Sequence, residues 1–178
     1  MDVISFRIRD AAPDEFHAIA EVRVRGWQYA YQGLVPQAYL DALSVPEVAE
    51  RLRGSIASRR ATHVVAEADG TVVGWGCVGP GRDPDATAAQ CEVYALYVLP
   101  EWLDQGVGRG LMAELTARAE AAGFHEIRLW VLKENHRARR FYAKAGFVAD
   151  GGEEPFEVGG VQVPEVRYGR ALGAPPRH

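Results

Sequence analysis

The hexapeptide Gln105-Gly106-Val107-Gly108-Arg109-Gly110 decides the fold that this sequence of 178 residues predicts. An apolar segment that ends at Leu99-Pro100 precedes the hexapeptide. A stripe of apolar residues at helical spacing begins within the hexapeptide and continues beyond its end: Val107, Leu111, Leu115, Ala119 and Ala122. We therefore expect a strand, a glycine loop and a helix, with unpaired backbone N–H groups at the helix N-terminus. Such a terminus binds anions, and glycine lets a phosphate approach the backbone. On spacing alone, a tight turn explains the glycines equally well.

Two nucleotide-binding motifs are disfavoured by the same glycines. A dinucleotide fingerprint needs a third glycine at position 111, where the sequence has Leu111. Gly76 to Gly81 has the glycine spacing of a phosphate-binding loop, but Arg82-Asp83 stands where lysine and a hydroxyl residue are required. The spacing therefore disfavours both a dinucleotide site and a Walker-type loop.

The rest of the chain predicts alternating helices and strands in a single domain, residues 1–172, with a loose tail at 173–178. Helices are expected after Pro13, Pro36 and Pro46, after Gly106, and from Asn135. The predicted strands are Ser5–Arg9, Thr62–Ala68, Thr71–Val78, Cys91–Leu99, Ile127–Leu132, Phe147–Ala149 and Val163–Leu172. We expect the last two to be joined by a glycine-rich, acidic connection.

Composition narrows the class of protein. The net charge of −4 gives no broad positive surface for a nucleic acid backbone. No signal peptide or membrane-length apolar segment occurs, which predicts a cytoplasmic protein without a membrane partner. The two cysteines, Cys77 and Cys91, are expected to be small buried hydrophobes, and the five histidines have no metal-ligand spacing, so no metal is predicted.

Three ordered motifs resemble the GCN5-related N-acetyltransferase (GNAT) family. Gln105, Gly108 and Gly110 meet its Gln/Arg-x-x-Gly-x-Gly/Ala signature. Glu92-Val93-Tyr94-Ala95-Leu96-Tyr97-Val98 is similar to its central strand, and the segment from Asn135 through Phe141-Tyr142 to Gly146-Phe147 is similar to its last helix. The resemblance implies an α/β (α+β) fold: a mixed, mostly antiparallel twisted sheet of about seven strands, splayed in the middle and flanked by about four helices.

The resemblance also implies an enzyme that moves an acetyl group from acetyl-CoA directly to an amine. Its implied catalytic residues are Tyr142, a general acid toward the sulfur, and Glu92, a base acting directly or through water; for Glu92 an exposed strand carboxylate is an open alternative. The Val98 N–H is the implied oxyanion donor. The implied cofactor-binding residues are Leu96, Tyr97, Val98, Gln105, Gly106, Val107, Gly108, Arg109, Gly110, Asn135, Arg139 and Tyr142, with Arg140 as an alternative to Arg139. Asn135 is equally explained as a helix N-cap.

The acceptor is less well specified. Trp27 and Tyr31, near the junction of the first two helices, are the main candidates for its wall, although aromatic residues at this spacing also suit a core. Tyr94 and Trp130 are further candidates.

Three functions remain open at this point. The favoured one is acetylation of a small-molecule amine; the second is acetylation of a protein N-terminus or lysine; the third is a non-catalytic CoA-binding regulatory module. An open groove between residues 31–37 and 152–164 would favour a protein acceptor, and a closed aromatic pocket a small one. The sequence leaves a homodimer open.

Overall fold

A computed structural model describes residues 5–173 of the chain. The predicted tail therefore lies outside the described residues except for Gly173. The sheet has seven strands in the described part of the chain: β1 Arg7–Asp10, β2 Thr62–Ala68, β3 Thr71–Pro80, β4 Gln90–Val98, β5 Glu126–Leu132, β6 Val148–Val158 and β7 Val161–Ala171. Their order is β1-β2-β3-β4-β5-β7-β6, and only β4 and β5 pair in parallel. The predicted mixed, mostly antiparallel sheet is confirmed.

Five α-helices are described, α1 Phe16–Ala30, α2 Gln37–Asp41, α3 Val45–Ser58, α4 Val107–Ala121 and α5 His136–Lys144, and a short 3-10 helix, Pro100–Trp102, follows β4. The first three lie between β1 and β2, while α4 connects the parallel pair β4 and β5. None of these helices within residues 5–173 is long and apolar enough to cross a membrane. Four residues of the predicted apolar stripe, Val107, Leu111, Leu115 and Ala119, are buried on α4, whereas the fifth, Ala122, follows the helix and is exposed.

The sheet is splayed between β4 and β5. These strands pair only along Gln90–Glu92 and Glu126–Arg128, whereas β5 remains paired with β7 along its whole length. In the β3–β4 register, Cys77 lies opposite Ala95 and Val78 opposite Val93, so Tyr94 is an extra, bulged residue. The second half of β4 therefore has backbone groups with no partner on β5, and a cleft opens there.

The C-terminal strands differ from the prediction. The expected acidic connection is instead part of a long antiparallel hairpin, in which β6 and β7 are joined by Gly159-Gly160, both at positive φ. The strand pattern is hidden because β6 is an edge strand whose residues 153–155 are exposed and mostly acidic, with no apolar alternation. Pairing with β7 outweighs the weak local preference.

The two cysteines are confirmed as buried, unpaired thiols. Burial raises the pKa of both Cys77 and Cys91 to about 12. Both therefore remain protonated at neutral pH and pack as small apolar groups.

Candidate active site

A cleft of about 1380 Å³ extends from the splayed half of β4 to the N-terminus of α4 and along α5. Eight of the predicted cofactor-binding residues line it: Leu96, Tyr97, Val98, Gly106, Gly108, Arg109, Asn135 and Tyr142. The cleft thus joins unpaired strand backbone at one end to a helix N-terminus at the other. An elongated ligand with amide groups and phosphates matches that arrangement.

The N-terminus of α4 lies at one end of the cleft, and its backbone has the features of an anion-binding site. Gly106 caps the helix in the left-handed region, at φ 87°, where a side chain would strain the backbone. The first N–H bonded inside the helix is that of Gly110, which donates to the Gly106 carbonyl at 2.9 Å. The N–H groups of residues 106–109 precede that bond, so they and the helix dipole are available to a phosphate.

Four predicted cofactor residues have other contacts. The Gln105 side-chain amide donates to the Glu101 carbonyl at 2.8 Å, and Val107 is fully buried in the core. Gly110 faces Phe6, which a Cβ there would approach to 3.2 Å. The Arg139 guanidinium donates to the Tyr168 hydroxyl at 3.0 Å and to the Lys133 carbonyl at 2.8 Å. The Arg139 guanidinium is therefore bound to other groups, and Arg139 is not among the residues that line the cleft.

Other cations line the cleft instead: Arg137, Arg140, Lys144 and Arg170. Three of them lie on α5, whose sequence His136-Arg137-Ala138-Arg139-Arg140 is visibly basic. The basic run alone does not say which arginines face the cleft, because helix phase and neighbouring partners decide that. Arg137 is itself paired with Asp104, with N···O distances of 2.9 and 3.0 Å.

Tyr142 is half-buried in the wall of the cleft on α5. Burial raises the pKa of its phenol above the usual value, and the nearby Tyr97 adds to the shift. The phenol therefore stays protonated well into the alkaline range and can donate a hydrogen bond.

Asn135 caps α5, and this contact gives a stability prediction. Its Oδ1 accepts a hydrogen bond from the Ala138 N–H at 3.2 Å. Asn135→Ala should lower the free energy of unfolding by about 1 kcal/mol, while Asn135→Ser keeps a capping oxygen and most of the stability. Urea denaturation of the three proteins measures this. Wild-type stability of Asn135→Ala would contradict the cap. If Asn135→Ser, which keeps a capping oxygen, nevertheless binds CoA more weakly than wild type, the side-chain amide of Asn135 also contacts the cofactor.

A second cavity of about 700 Å³ opens on the α1–α3 side of the sheet. All four predicted acceptor-wall residues, Trp27, Tyr31, Tyr94 and Trp130, line it, together with Trp75 and Tyr97. Hydrogen bonds hold this aromatic wall in place: Trp27 Nε1 donates to Tyr97 Oη at 2.9 Å, and Trp130 Nε1 donates to Asp83 Oδ1 at 2.9 Å. The Tyr94 hydroxyl donates to the Pro80 carbonyl.

The two cavities meet at the bulge of β4 and at the facing part of β5. Both are lined by Val93, Tyr94, Ala95, Tyr97, Trp130 and Val131. A group at the end of a ligand in the cleft can therefore face a second molecule in the acceptor cavity. This is the arrangement that a direct transfer between two bound substrates requires.

Glu92 is buried, with 4% of its surface exposed, so the alternative of an exposed strand carboxylate is wrong. It lines the acceptor cavity, but Arg82 occupies both of its oxygens. The Arg82 backbone N–H and Nε donate to Oε2 at 3.0 and 3.3 Å, and Nη2 donates to Oε1 at 2.8 Å.

Several charged residues of the acceptor cavity carry no local sequence signal. Four carboxylates and two guanidinium groups line it: Asp83, Glu92, Glu154, Glu165, Arg23 and Arg82. Glu154 and Glu165 lie on β6 and β7, whereas Arg23 lies on α1, so only the tertiary fold brings them together. Burial, a hydrogen bond with Glu154 and neighbouring negative charge raise the pKa of Glu165 to about 7.

His63 also lines the acceptor cavity, on β2. Its Nδ1 accepts a hydrogen bond from Trp75 Nε1 at 3.2 Å, and burial lowers its pKa. The ring is therefore neutral at pH 7, a structural partner of Trp75 that adds no charge to the cavity.

The hairpin of β6 and β7 closes one side of the acceptor cavity. Gly159 at its tip lies against Tyr39 and Pro36, so close that a Cβ on Gly159 would come within 3.0 Å of Tyr39 Cβ. A second apolar cluster fills the space behind this contact: Trp27, Val35, Leu40, Leu132, Val158 and Val163. The region between residues 31–37 and 152–164 is thus packed with side chains.

The splayed sheet, the helix N-terminus at one end of its cleft and the adjoining acceptor cavity define a class of enzyme, the acetyl-CoA-dependent N-acyltransferases. Residues 17–147 match the family described as the acetyltransferase (GNAT) family. The chain belongs to this family. Its fold, a seven-stranded mixed sheet flanked by helices, is the fold of the solved structures that it resembles.

Relatives support the same class. The chain is 29% identical over 162 residues to the uncharacterized N-acetyltransferase YuaI of Bacillus subtilis, covering 91% of each protein. It is 25% identical over 149 residues to a spermidine N(1)-acetyltransferase of Thermoplasma acidophilum, covering 81% of this chain and 89% of the relative. Among solved structures, the PaiA N-acetyltransferase of T. acidophilum in complex with coenzyme A superimposes with a TM-score of 0.76 at 23% identity, covering 94% of this chain and 99% of that one.

Proposed function

We propose that this N-acetyltransferase transfers the acetyl group of acetyl-CoA to the primary amine of a small, positively charged molecule. The acceptor cavity carries the proposal: it adjoins the cofactor cleft, its walls are aromatic, and carboxylates outnumber guanidinium groups four to two in its lining. Carboxylates and aromatic faces both attract an ammonium group. The similarity to a spermidine acetyltransferase supports the same acceptor class.

The closed side of the cavity favours a small acceptor over a protein. A lysine or N-terminus presented by a protein needs a groove for the flanking backbone. The contact of Gly159 with Tyr39 and Pro36 and the apolar cluster behind it occupy that space.

We assign the cofactor by the same reasoning. The N–H groups of residues 106–109 bind the pyrophosphate, with Arg109 and Arg140 beside it. Unpaired backbone of Leu96 to Val98 binds the pantetheine amides, which places the thioester near the bulge. Tyr142 donates to the sulfur, and the Val98 N–H stabilises the oxyanion.

The proposal predicts a charge preference among acceptors. In a thiol-release assay with acetyl-CoA, kcat/KM for 1,4-diaminobutane or spermidine should exceed that for butylamine at least tenfold, because a second ammonium gains contact with the carboxylates. Added salt should reduce the difference.

A set of lysine-containing and free N-terminal peptides serves as the comparison. Faster turnover of peptides than of any small amine would favour the protein acetyltransferase. Tight CoA binding by calorimetry with no turnover of any amine would favour the non-catalytic binding module.

A further inference from the structure

Two carboxylates of the acceptor cavity form a pair that the mechanism above does not use. Glu154 on β6 lies directly opposite Glu165 on β7 in the antiparallel register, and both side chains line the cavity. Directly opposite residues of an antiparallel pair have Cβ atoms about 5 Å apart, so the two carboxyl groups are neighbours, and the Glu154 carboxyl contributes to the raised pKa of Glu165. Two carboxylates in such contact cannot both be ionised at little cost, so the pair retains a proton to higher pH than a single glutamate does.

The surroundings of the pair strengthen this behaviour. Glu92 on β4 and Asp83 before it add negative charge, and Glu165 is half-buried. The nearby cations have other partners: Arg82 binds Glu92, Arg167 binds Asp83, Asp85 and Asp150, and Arg23 lies over the Trp27 ring at 4.9 Å. Within residues 5–173, none of the ion pairs includes Glu154 or Glu165.

Glu92 contrasts with this pair. Its side chain is the more deeply buried, and it accepts three hydrogen bonds from Arg82. A proton arriving at Glu92 would have to displace the guanidinium and leave its charge without a partner. The Glu154–Glu165 pair has no guanidinium bound to it among the described residues, so a proton can reach it without displacing a cation.

We propose that Glu165, paired with Glu154, is the catalytic base that takes the proton from the acceptor's ammonium group. This inference rests on the proposed function. The pair lines the same cavity as Tyr97 and Trp130, which also line the cofactor cleft. An ammonium held against the aromatic wall therefore lies between the pair and the thioester.

The Glu165 carboxylate takes one proton from the ammonium, and the lone pair of the neutral amine forms the N–C bond at the thioester carbonyl. The C–S bond then breaks, and the thiolate takes the Tyr142 proton. The second proton of the attacking nitrogen returns to the Tyr142 phenolate through water, and Glu165 releases its proton to solvent.

The pH dependence of kcat/KM tests the assignment in wild type, Glu165→Gln, Glu154→Gln and Glu92→Gln, with the best acceptor of the amine panel. Wild-type kcat/KM should fall as the pH falls through about 7, because the pKa of Glu165 is raised to about 7 and only the ionised form accepts a proton. Glu165→Gln should lower kcat about thirtyfold with little change in KM, since water replaces the base inefficiently. In this variant the acidic limb of the pH profile, the fall of kcat/KM below about pH 7, should disappear. Glu154→Gln should move the limb to lower pH.

Glu153→Gln is the matched control, because Glu153 is exposed on the same strand and pairs with Lys133 at 2.7 Å, outside the cavity. It should retain wild-type kinetics.

A Glu165→Gln enzyme with wild-type kcat and an unchanged acidic limb would overturn the base assignment. A change confined to KM would overturn it as well, because it would make the pair a binding site only. Failure of wild type to acetylate any amine would instead refute the proposed function.

Unfolding provides a readout that needs no acceptor. The raised pKa means that folded Glu165 binds more protons than the unfolded chain does between about pH 4.5 and 7. Wild type should therefore lose stability relative to Glu165→Gln as the pH rises through this range. Identical pH dependence of the two unfolding midpoints would overturn the inference.

Discussion

Replacing Tyr142 by phenylalanine should lower kcat about a thousandfold, which corresponds to roughly 4 kcal/mol of transition-state stabilisation. The phenol lies in the wall of the cofactor cleft on α5, and burial raises its pKa, so it is a protonated donor at every pH of the assay. Without the hydroxyl, the sulfur has no donor as negative charge develops on it. The loss should be equal across the pH range, because the phenol does not titrate there.

Thiol release measures kcat, and calorimetry measures binding of coenzyme A, which should change less than threefold. Tyr39→Phe is the control: Tyr39 packs against the second apolar cluster at the hairpin contact and lines neither cavity. A Tyr142→Phe enzyme within tenfold of wild type would remove Tyr142 from the reaction.

Replacing Gly108 by valine should weaken binding of coenzyme A at least a hundredfold, roughly 2.7 kcal/mol. A Cβ at this position would already lie 3.4 Å from Phe141 and 3.8 Å from Val98. The two further methyl groups of valine must displace Phe141 or enter the cleft in front of the N–H groups of residues 106–109. Either outcome blocks the approach of the pyrophosphate.

Gly108→Ala shows whether any side chain at this position weakens binding or only a bulky one, since its single methyl group makes only ordinary van der Waals contact. It should bind coenzyme A within a few fold of wild type. Gly54→Val on α3, where a Cβ meets nothing within 4 Å, controls for the helix propensity of valine. Unchanged affinity of Gly108→Val by calorimetry would place the pyrophosphate elsewhere.

Eight of the twelve predicted cofactor-binding residues line the cleft, and the sequence signals that select them are local. The glycines of the hexapeptide, the apolar stripe beginning at Val107 and the cap at Asn135 each depend on residues three or four positions apart. Local spacing did not predict which of the two arginines, Arg139 or Arg140, points its side chain into the cleft. Arg139 and Arg140 are neighbours in sequence, but only Arg140 faces the cleft, because Tyr168 and the Lys133 carbonyl bind Arg139.

The acceptor half was predicted only in part. Trp27, Tyr31, Tyr94 and Trp130 stand out as large aromatic residues, whereas nothing in the local sequence marks Glu154 and Glu165 as neighbours. The strand of Glu165 was expected at Val163–Leu172, but the strand of Glu154 was not, because residues 153–155 lie on an edge strand with no apolar alternation and become a strand only by pairing with β7. Sequence spacing says nothing about groups that meet across a hairpin.

The sequence by itself therefore predicted most of the elements in order and a helix N-terminus after the glycine loop, since these follow from contacts within one element or one turn. It indicated the class of reaction only through the resemblance of its motifs to the GNAT family. Only the tertiary structure decided what surrounds the acceptor amine. Arg82 binds Glu92, and Glu154 meets Glu165, because β3, β4, β6 and β7 converge on one cavity. The charge and proton affinity of a carboxylate depend on such neighbours, which distant parts of the chain supply.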